Sequence, residues 1–404
     1  MKTYKKRNEH KKSYICGSQV ICNLISDSMD KIVVASDSFK GSLTSLEVAL
    51  SAEKGIREVF PRCNVVKVNV ADGGEGTMDA LRSTLGGQWV TVPAEDPLGR
   101  VRDVSYVVLA DGKTAVIEMS AASGLPLLQP HERNPLLTST YGTGEMIADA
   151  LSRGCRRFLV GIGGSATNDA GMGMLCALGY RFVDAQGNVL EGRGESMAKV
   201  EDIDMSRVSE AVKESEFIVA CDVDSPFCGP RGAAYVFSPQ KGADPRMVES
   251  LDAGMEHLSS VIARVTGKDV RNVPGAGAAG GLGGGFLAFL NARLERGIEM
   301  VLDAIGFDDI IRGADLVITG EGRVDSQTLT GKTPYGIMKR ALRQGIPCIA
   351  IGGSVMLGDG DDVSGFDAVV PVTPPDMPLE EAMKPAVASD NIRRTIVDIL
   401  KSRI

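Results

Sequence analysis

The chain has 404 residues, which is enough for two or more domains with separate hydrophobic cores. Its net charge of −8 disfavours general nucleic-acid binding, which needs a basic surface that neutralises phosphates. No apolar run is long enough to span a membrane, so we expect neither a nucleic-acid nor a membrane partner. The eight cysteines form no C-x-x-C pair and no convincing secretion signal is present, which favours reduced thiols in a cytoplasmic protein.

The first 30 residues differ in character from the rest of the chain. Residues 2–12 are basic and polar, and residues 14–25 are weakly apolar but interrupted by glycine and polar side chains. No small-residue cleavage site of a secretory signal follows them. We therefore interpret residues 1–30 as a disordered extension, and we expect the folded part to begin near Met29.

The folded part opens with a strand, a helix and a second strand. Residues 31–36 are apolar and rich in β-branched side chains, as in a buried parallel strand. Thr44 and Glu47 form a capping-box pattern at the start of a helix that ends before Pro61. A second strand is predicted over 65–70. Open α/β sheets place ligand-binding loops after the carboxyl ends of such strands.

The middle of the chain has a different pattern from its two ends. Three short strands, 89–93, 104–109 and 114–118, are joined by short turns and predict an antiparallel element. Regular alternation of strands and helices returns towards the carboxyl terminus. Further strands are predicted over 158–162, 217–220, 315–319, 348–351 and 368–372, and helices over 145–153, 334–344 and 379–404, the last broken near Pro385.

Glycine-rich loops that carry or adjoin polar side chains follow several predicted strands. Glycine lets backbone N–H groups approach an anion closely, and Asp or Glu nearby can hold a divalent metal. One such loop could be a simple turn, but several in one chain indicate a site for a phosphate-bearing ligand. The five loops are 37–41, 72–77, 163–169, 275–281 and 319–323.

The loop 163–169 follows a strand and precedes a predicted helix. A phosphate could bind the N–H groups of Gly163 and Gly164, assisted by the hydroxyls of Ser165 and Thr167. The loop is not a Walker A motif, because no Gly-Lys-Ser/Thr closes it. The alternative is a strand-to-helix turn in which Asn168 or Asp169 caps the helix, and both interpretations stay open.

The segment 275–285 is extremely rich in glycine and contains a G-x-G-x-x-G pattern that begins with Gly275 and Gly277. The residues before it, 268–274, are polar rather than a buried strand. A dinucleotide-binding interpretation is therefore poorly supported. A nucleotide-facing loop and a hinge between domains remain the two alternatives.

Charged side chains accompany two of the loops. Lys40 lies just beyond the first strand, where it could neutralise a phosphate or a carboxylate, although a lone lysine can equally be a solvated surface residue. In the predicted loop 321–328, Arg323 could bind a carboxylate or a phosphoryl group bidentately. Arg323 and Asp325 could instead only pair with each other and brace the loop.

Five motifs occur in order along the chain, at residues 31–41, 71–77, 161–169, 237–243 and 319–323. Together they resemble those of the bacterial type I glycerate kinases. The resemblance extends over essentially the whole chain from residue 31 onward. One departure is Ala170, which stands where the family pattern has another glycine.

The resemblance implies a transferase that phosphorylates D-glycerate to 2-phosphoglycerate with ATP and Mg²⁺. It also implies a two-domain α/β fold. We expect a Rossmann-like parallel-sheet domain formed by residues 31–86 and 292–404, an inserted α/β domain formed by 87–291, and an active site in the interdomain cleft. In this arrangement Val33 and Val317 belong to one sheet.

Site roles follow from the chemistry of phosphoryl transfer. We expect Lys40 and Arg323 to neutralise the substrate carboxylate and the transferred phosphoryl group, and Asp325 to accept the hydroxyl proton. Mg²⁺ would bind Asp72, Asp222 or Glu321. The nucleotide phosphates would bind the loops at Gly163, Gly164, Ser165, Thr167, Gly275 and Gly277.

Other functions stay open beside this one. The chain could phosphorylate another small hydroxy acid and give a different phospho position. It could also be an NAD(P)-dependent hydroxy-acid dehydrogenase, which only the Gly275 pattern supports, or a sensor that has lost turnover.

Overall fold

The computed structural model describes residues 29–74 and 76–402. The predicted extension, residues 1–30, lies outside the described residues except for Met29 and Asp30, and Glu75 of the second motif lies outside them as well. Met29 is 6% exposed and belongs to the hydrophobic core. The backbone N–H of Asp30 donates a hydrogen bond to Asp315 Oδ2 (2.7 Å). These two residues are therefore part of the folded protein.

The described residues form strands and helices with the following bounds. The strands are β1 (Lys31–Ser36), β2 (Asn64–Asn69), β3 (Gly87–Glu95), β4 (Val101–Leu109), β5 (Thr114–Glu118), β6 (Arg157–Gly161), β7 (Arg181–Val183), β8 (Asp202–Asp204), β9 (Glu216–Ala220), β10 (Arg293–Glu295), β11 (Leu316–Asp325), β12 (Cys348–Met356) and β13 (Ala368–Pro371). The helices are α1 (Ser45–Val59), α2 (Thr77–Leu85), α3 (Ser120–Ser123), α4 (Tyr141–Ser152), α5 (Met172–Ala177), α6 (Glu210–Lys213), α7 (Ala233–Phe237), α8 (Pro245–Thr266), α9 (Ala278–Phe289), α10 (Gly297–Ala304), α11 (Phe307–Ile311), α12 (Thr333–Arg343), α13 (Leu379–Ala382) and α14 (Pro385–Lys401).

The chain divides into two compact units. In the described part, unit 1 comprises residues 29–68, 311–330 and 337–402, and unit 2 comprises the rest of the chain between them. The predicted domain bounds, 86/87 and 291/292, differ from this division. The difference has a packing reason: α2 lies against β4 and β5, and β10 and α10 lie against β9, so both flanking segments belong to unit 2.

Unit 1 is built on a five-stranded sheet with the order β13-β12-β11-β1-β2. β11 is parallel to both β1 and β12, and β12 is parallel to β13. Val33 lies opposite Val317, which confirms their predicted place in one sheet. The central strands β1, β11 and β12 are largely buried and rich in aliphatic side chains. The helices α1 and α14 pack beside each other with their apolar faces in the same core. The predicted Rossmann-like parallel sheet is confirmed.

The start of α1 confirms the predicted capping box. The Glu47 side chain accepts hydrogen bonds from the backbone N–H and the hydroxyl of Thr44 (both 2.8 Å). In return, Thr44 Oγ1 accepts from the backbone N–H of Glu47 (3.3 Å). Because a first helical turn leaves its N–H groups without intrahelical partners, these bonds fix where the helix begins.

Unit 2 is built on a six-stranded mixed sheet with the order β10-β9-β6-β5-β4-β3. The strands β5, β6, β9 and β10 are parallel, whereas β3 pairs antiparallel with β4 and β4 antiparallel with β5. The predicted antiparallel element is therefore confirmed. A small antiparallel sheet of β7 and β8 adds to this unit. The rings of Phe158 and Phe217 stack 4.7 Å apart in its core.

The prediction that residues 319–323 form a loop is wrong. β11 continues through this motif to Asp325, and β12 continues beside it to Met356. Close approach of the two strands explains Gly320 of the motif, because a Cβ there would lie 2.3 Å from the backbone oxygen of Ile351. On the neighbouring strand, a Cβ on Gly353 would likewise lie 2.5 Å from the backbone oxygen of Gly322.

None of the helices in the described part of the chain is long and apolar enough to cross a membrane.

Candidate active site

The carboxyl ends of β1 and β11 form the topological switch point of unit 1. From β1 the chain continues to β2 on one side of the sheet, whereas β11 is followed by β12 and β13 on the other side. Open α/β sheets bind ligands at such a point. The structure brings two predicted segments together here: the N–H of Asp37 donates to Gly320 O (2.9 Å), and the Cβ position of Gly322 lies 3.4 Å from the backbone nitrogen of Lys40.

The cations of this edge are accessible to solvent. Lys40 and Arg323 are both exposed. Asp325 is half-buried, and its Oδ1 accepts a hydrogen bond from the N–H of Gln327 (2.9 Å). Within the part of the chain that the structure describes, Arg323 and Asp325 form no ion pair with each other. The alternative in which they only brace each other is therefore not what the structure contains.

Glu321 is held from within unit 1. Glu321 is 9% exposed, and its Oε1 accepts a hydrogen bond from the Thr328 hydroxyl (2.5 Å). The same hydroxyl oxygen accepts from the N–H of Asp325 (3.0 Å). Thr328, which is 0% exposed, thus connects the two carboxylate residues that the sequence assigned to metal binding and proton transfer.

Unit 2 brings functional segments together at the carboxyl ends of its four parallel strands. Glu118 ends β5, the loop at Gly163 follows β6, Asp222 follows β9 and Arg296 follows β10. The Asp72 loop lies against this edge, because a Cβ on Gly297 would overlap the backbone oxygen of Asp72. Asp72, the Gly163 loop and Asp222 were predicted separately, and the sheet explains why they meet.

Asp222 and Asp72 form a carboxylate pair beside two cations. The Oδ1 of Asp222 accepts a hydrogen bond from the N–H of Gly297 (3.0 Å), and the guanidinium of Arg296 donates to its backbone oxygen (2.5 Å). The surrounding protein and the Asp72 charge raise the pKa of Asp222, although its side chain is reachable from solvent, while Arg296 and Lys332 oppose this shift. Burial is the main cause of the raised pKa and the Asp72 charge adds to it, so a cation bound at Asp222 would favour the ionised carboxylate.

The donor chemistry of this pair fits Mg²⁺. Mg²⁺ prefers oxygen ligands, keeps several waters and is often bound by only one or two carboxylates. The described residues contain no group of three or more His, Cys, Asp or Glu side chains that could hold a metal. Glu321, the third residue predicted to bind metal, belongs to unit 1.

The Gly163 loop presents its glycines outward and its hydroxyls inward. Gly163 and Gly164 are exposed, and Gly164 has a φ of 73°, in the left-handed region that favours glycine. Ser165 and Thr167 are buried, and Ser165 Oγ accepts a hydrogen bond from the N–H of Thr167 (3.1 Å). The two hydroxyl residues thus support the loop from inside, while the backbone of the two glycines is reachable by an anion.

Asp169 anchors the end of this loop. It is 0% exposed, and its Oδ2 accepts hydrogen bonds from the N–H and the hydroxyl of Thr140 (both 2.8 Å). It also accepts from the N–H groups of Gly171 and Gly173 (both 3.1 Å), at the start of α5. Burial raises the pKa of Asp169, and these donors oppose that shift. The alternative in which a residue of this loop caps the following helix therefore applies to Asp169. The glycines at the other end of the loop remain exposed.

The glycine-rich segment 275–285 packs under the Gly163 loop. Gly275 and Gly277 are both buried, and a Cβ on Gly280 would overlap the backbone oxygen of Thr167. The element that precedes the segment is the helix α8 rather than a strand. The structural context that a dinucleotide fingerprint requires is therefore missing. Gly275 and Gly277 therefore lie in the same unit as Gly163, but these two glycines are buried against neighbouring segments.

Sequence reasoning missed three cationic residues of unit 2. Arg296 and Lys332 act on the charge of Asp222, and Lys241 is 2% exposed with its Nζ 2.6 Å from Thr167 O. Lys241 lies in the motif 237–243, but the sequence assigned no role to it or to Lys332. A lysine inside a glycine- and proline-rich motif was the available signal, but no periodicity showed that it is buried.

The sequence model of the glycerate kinase family matches residues 32–403 of the chain. The chain belongs to the glycerate kinase family. The glycerate kinase of Halalkalibacterium halodurans is 46% identical over 359 residues, which cover 88% of this chain and 94% of that protein. The glycerate 2-kinase of Escherichia coli K12 is 46% identical over 373 residues, which cover 90% of this chain and 95% of that protein.

A solved structure shows the same relationship. A crystal structure of a Salmonella typhimurium LT2 protein assigned as glycerate kinase 2 superposes with a TM-score of 0.84 and 44% identity. It covers 93% of this chain, and this chain covers 98% of it. The predicted glycerate kinase family, its α/β fold class and the enzyme class, an ATP-dependent kinase, are thereby confirmed. Ala170, the one noted departure from the family pattern, has a φ of 55°, so it occupies a left-handed conformation that glycine adopts more readily.

Proposed function

We propose that this member of the glycerate kinase family transfers the γ-phosphoryl group of ATP to D-glycerate and forms 2-phosphoglycerate in a Mg²⁺-dependent reaction. The observation that carries the proposal is the edge of the unit 2 sheet. There, the exposed Gly163 loop, Asp222 and Arg296 follow neighbouring parallel strands, and the charges of Asp72 and Lys332 act on Asp222, in a chain of this family. The 2-position follows the name of the Escherichia coli relative.

The nucleotide phosphates suit the Gly163 loop. Gly163 and Gly164 carry no side chains and are exposed, so their backbone can approach an anion closely. The internal hydrogen bonds of Ser165 and Thr167 hold that backbone in place before the ligand arrives. A preorganised loop loses little freedom on binding, which favours affinity.

Asp72 and Asp222 are the residues that would hold Mg²⁺. The ion, when bound, would supply positive charge that neutralises phosphate oxygens. The hydrogen bond from the Gly297 N–H fixes the direction of the Asp222 carboxylate without removing its charge. Glu321 remains a predicted metal ligand whose carboxylate is already oriented by Thr328.

Lys40, Arg323 and Asp325 retain the roles predicted for the acceptor substrate. Glycerate is a small anion, and an exposed Arg323 can bind its carboxylate or the transferred phosphoryl group through two parallel hydrogen bonds. In the reaction, the C2 hydroxyl oxygen forms a bond to the γ-phosphorus as the bond to ADP breaks. Its proton passes to a carboxylate, for which we assign Asp325.

A coupled assay tests the proposal. The purified protein is given ATP, Mg²⁺ and D-glycerate, and ADP release is followed with and without EDTA. The product is then offered to enolase without phosphoglycerate mutase, because enolase consumes 2-phosphoglycerate directly. We expect ADP release that EDTA abolishes, together with an enolase signal.

Three outcomes would contradict the proposal in different ways. ADP release only with another hydroxy acid would overturn the substrate, and an enolase signal that requires the mutase would move the phosphoryl group to the 3-position. Reduction of NAD(P)⁺ with glycerate in the absence of ATP would favour the dehydrogenase alternative. We expect the reaction to take place in the cytoplasm.

A further inference from the structure

Lys241 is a buried cation on the inner side of the Gly163 loop. It is 2% exposed and lies in the turn after α7. Its Nζ donates hydrogen bonds to the backbone oxygen of Thr167 (2.6 Å) and to Ser165 Oγ (3.2 Å). Both acceptors belong to the loop whose Gly163 and Gly164 are exposed. One ammonium group therefore connects the two inward-facing residues of that loop.

The charge of Lys241 is not neutralised by a direct ion pair within the described residues. Its two hydrogen-bond acceptors are neutral. Asp169 favours the charged form of Lys241 from a longer distance, but the Asp169 carboxylate is occupied by Thr140, Gly171 and Gly173. The segment packed against Gly242 carries a further positive residue, Arg133.

Burial of a cation without a paired anion is costly, and the effective penalty in proteins amounts to several kcal/mol. A group kept at such a cost needs a compensating interaction. The compensation available here is an anion on the outer face of the same loop. The lysine also restrains Ser165 and Thr167 through its hydrogen bonds. Its geometric effect and its electrostatic effect therefore act on the same loop.

We propose that Lys241 is a positioning residue that fixes the Gly163 loop through Ser165 and Thr167 and supplies the positive charge with which this loop binds a nucleotide phosphate. The inference rests on the proposed function only in taking the ligand to be an adenine nucleotide. Lys241 does not touch the ligand itself. It acts through the loop backbone.

The ionisation of Lys241 adds a consequence that can be measured. Burial lowers the pKa of Lys241 to about 7, and Asp169 opposes the shift. Near neutral pH the free protein therefore holds this lysine partly uncharged. An anion that binds the loop favours the charged form, so nucleotide binding takes up protons.

The test measures ADP binding to the full chain by titration calorimetry, with EDTA present and without glycerate. Lys241→Met removes the charge and keeps a side chain of similar length, and Lys199→Met, at an exposed lysine of the same unit, is the matched control. At pH 6.5 we expect Lys241→Met to weaken ADP binding roughly tenfold or more, as expected for a charge a few ångströms from a phosphate. Lys199→Met should bind like the wild type.

The pH dependence separates this role from simple support of the fold. Between pH 6.5 and 8.5, wild-type affinity should fall more than that of Lys241→Met, in which this titration is absent. Titrations in buffers of different ionisation enthalpy should show proton uptake by the wild type and less by the variant. Wild-type affinity and wild-type pH dependence in Lys241→Met, or no ADP binding by the wild-type protein, would overturn the proposal.

A melting curve shows whether Lys241→Met folds, and a second variant replaces it if it does not. We expect Lys241→Met to keep the wild-type melting temperature or exceed it, because a buried charge has been removed. Should the variant not fold, Lys241→Gln keeps a donor without the charge and gives the same comparison. Because ADP binding is measured without glycerate, a protein that binds ADP as described but phosphorylates no glycerate would contradict the proposed function and leave this inference standing.

Discussion

The backbone N–H of Gly297 donates a hydrogen bond to Asp222 Oδ1 across 3.0 Å. Gly297 is the first residue of α10, and the N-terminus of a helix favours a negative charge nearby. The surrounding protein and Asp72 have the opposite effect, and they raise the pKa of Asp222. The hydrogen bond from Gly297 therefore orients the Asp222 carboxylate at the carboxyl ends of the parallel strands of unit 2, where the predicted functional loops lie.

Asp222→Asn tests the role of this carboxylate in metal binding. The amide oxygen can still accept the Gly297 hydrogen bond, so we expect the melting temperature to change little. Loss of the charge should lower kcat/KM by roughly a hundredfold and raise the Mg²⁺ concentration needed for half-maximal rate, because charge stabilisation of this kind contributes about 2.7–4 kcal/mol. Initial rates over a Mg²⁺ titration measure both effects.

Asp224→Asn is the matched control for this variant. Asp224 lies in the same loop, but its side chain is 76% exposed, and among the described residues its ion pair is with Arg296 at 3.4 Å. An exposed ion pair contributes little, so we expect less than a threefold change in rate. Equal effects of the two substitutions would contradict the assignment of Asp222.

Lys40→Ala and Arg323→Ala test the cations of unit 1. Both side chains are exposed at the edge where β1 and β11 end in the parallel sheet, so neither is needed for packing. We expect each substitution to lower kcat/KM for glycerate by roughly a hundredfold or more with a nearly unchanged melting temperature. Arg343→Ala, at an exposed arginine at the end of α12, should leave both quantities unchanged. A large fall in melting temperature with a modest kinetic loss would assign Arg323 to structure instead.

Thr328 provides a test of how Glu321 is held. Its buried hydroxyl donates to Glu321 Oε1 (2.5 Å) and accepts from the Asp325 N–H (3.0 Å). Thr328→Val removes both bonds at nearly constant volume and should cost about 1–3 kcal/mol of unfolding free energy. Thr328→Ser keeps the hydroxyl and should lose much less. Urea unfolding of the two variants decides the matter, and equal losses would show that the hydroxyl is not what stabilises this segment.

Sequence patterns predicted the elements whose signals are local. The capping box of Thr44 and Glu47 fixed the start of α1, and the short alternating strands with tight turns gave the antiparallel β3, β4 and β5. The paired strands at Val33 and Val317 followed from the two-domain arrangement that the family resemblance implied. The first two predictions depend on residues that are close in sequence, and the third depends on the resemblance.

The features that were missed depend on contacts between distant segments. Nothing near Glu321 shows that β12 lies beside it and extends β11 through the motif. Burial of Lys241 depends on Thr167 and Ser165, which are more than 70 residues away. The glycines of 275–285 resemble a ligand loop in sequence, and only packing contacts explain them sterically: a Cβ on Gly277 would overlap the backbone of Pro226, and one on Gly280 would overlap the backbone of Thr167. The placing of α2 and α10 in unit 2 likewise depends on strands that lie far away in sequence.

The pH dependence of stability provides a last prediction, on Lys241. Its folded-state pKa is about 7, below the ordinary value of 10.5. Between these two values the unfolded chain binds a proton that the folded protein does not bind, so the unfolding free energy rises with pH. The full slope for one proton is about 1.4 kcal/mol per pH unit. From about one unit below pH 7 downward both states are protonated and the contribution is flat.

Lys241→Met has no titrating group at this position. The difference in unfolding free energy between the wild type and this variant therefore isolates the contribution of Lys241 from all other titrations. We expect that difference to change in favour of the wild type by about 1 kcal/mol between pH 7.5 and 8.5, and to be nearly constant between pH 5.5 and 6.5. Urea unfolding at these four pH values measures it. Lys199→Met should run parallel to the wild type throughout, because Lys199 is exposed. Parallel curves for Lys241→Met as well would mean that this lysine keeps an ordinary pKa, and that the protein around it compensates its charge in the absence of any ligand.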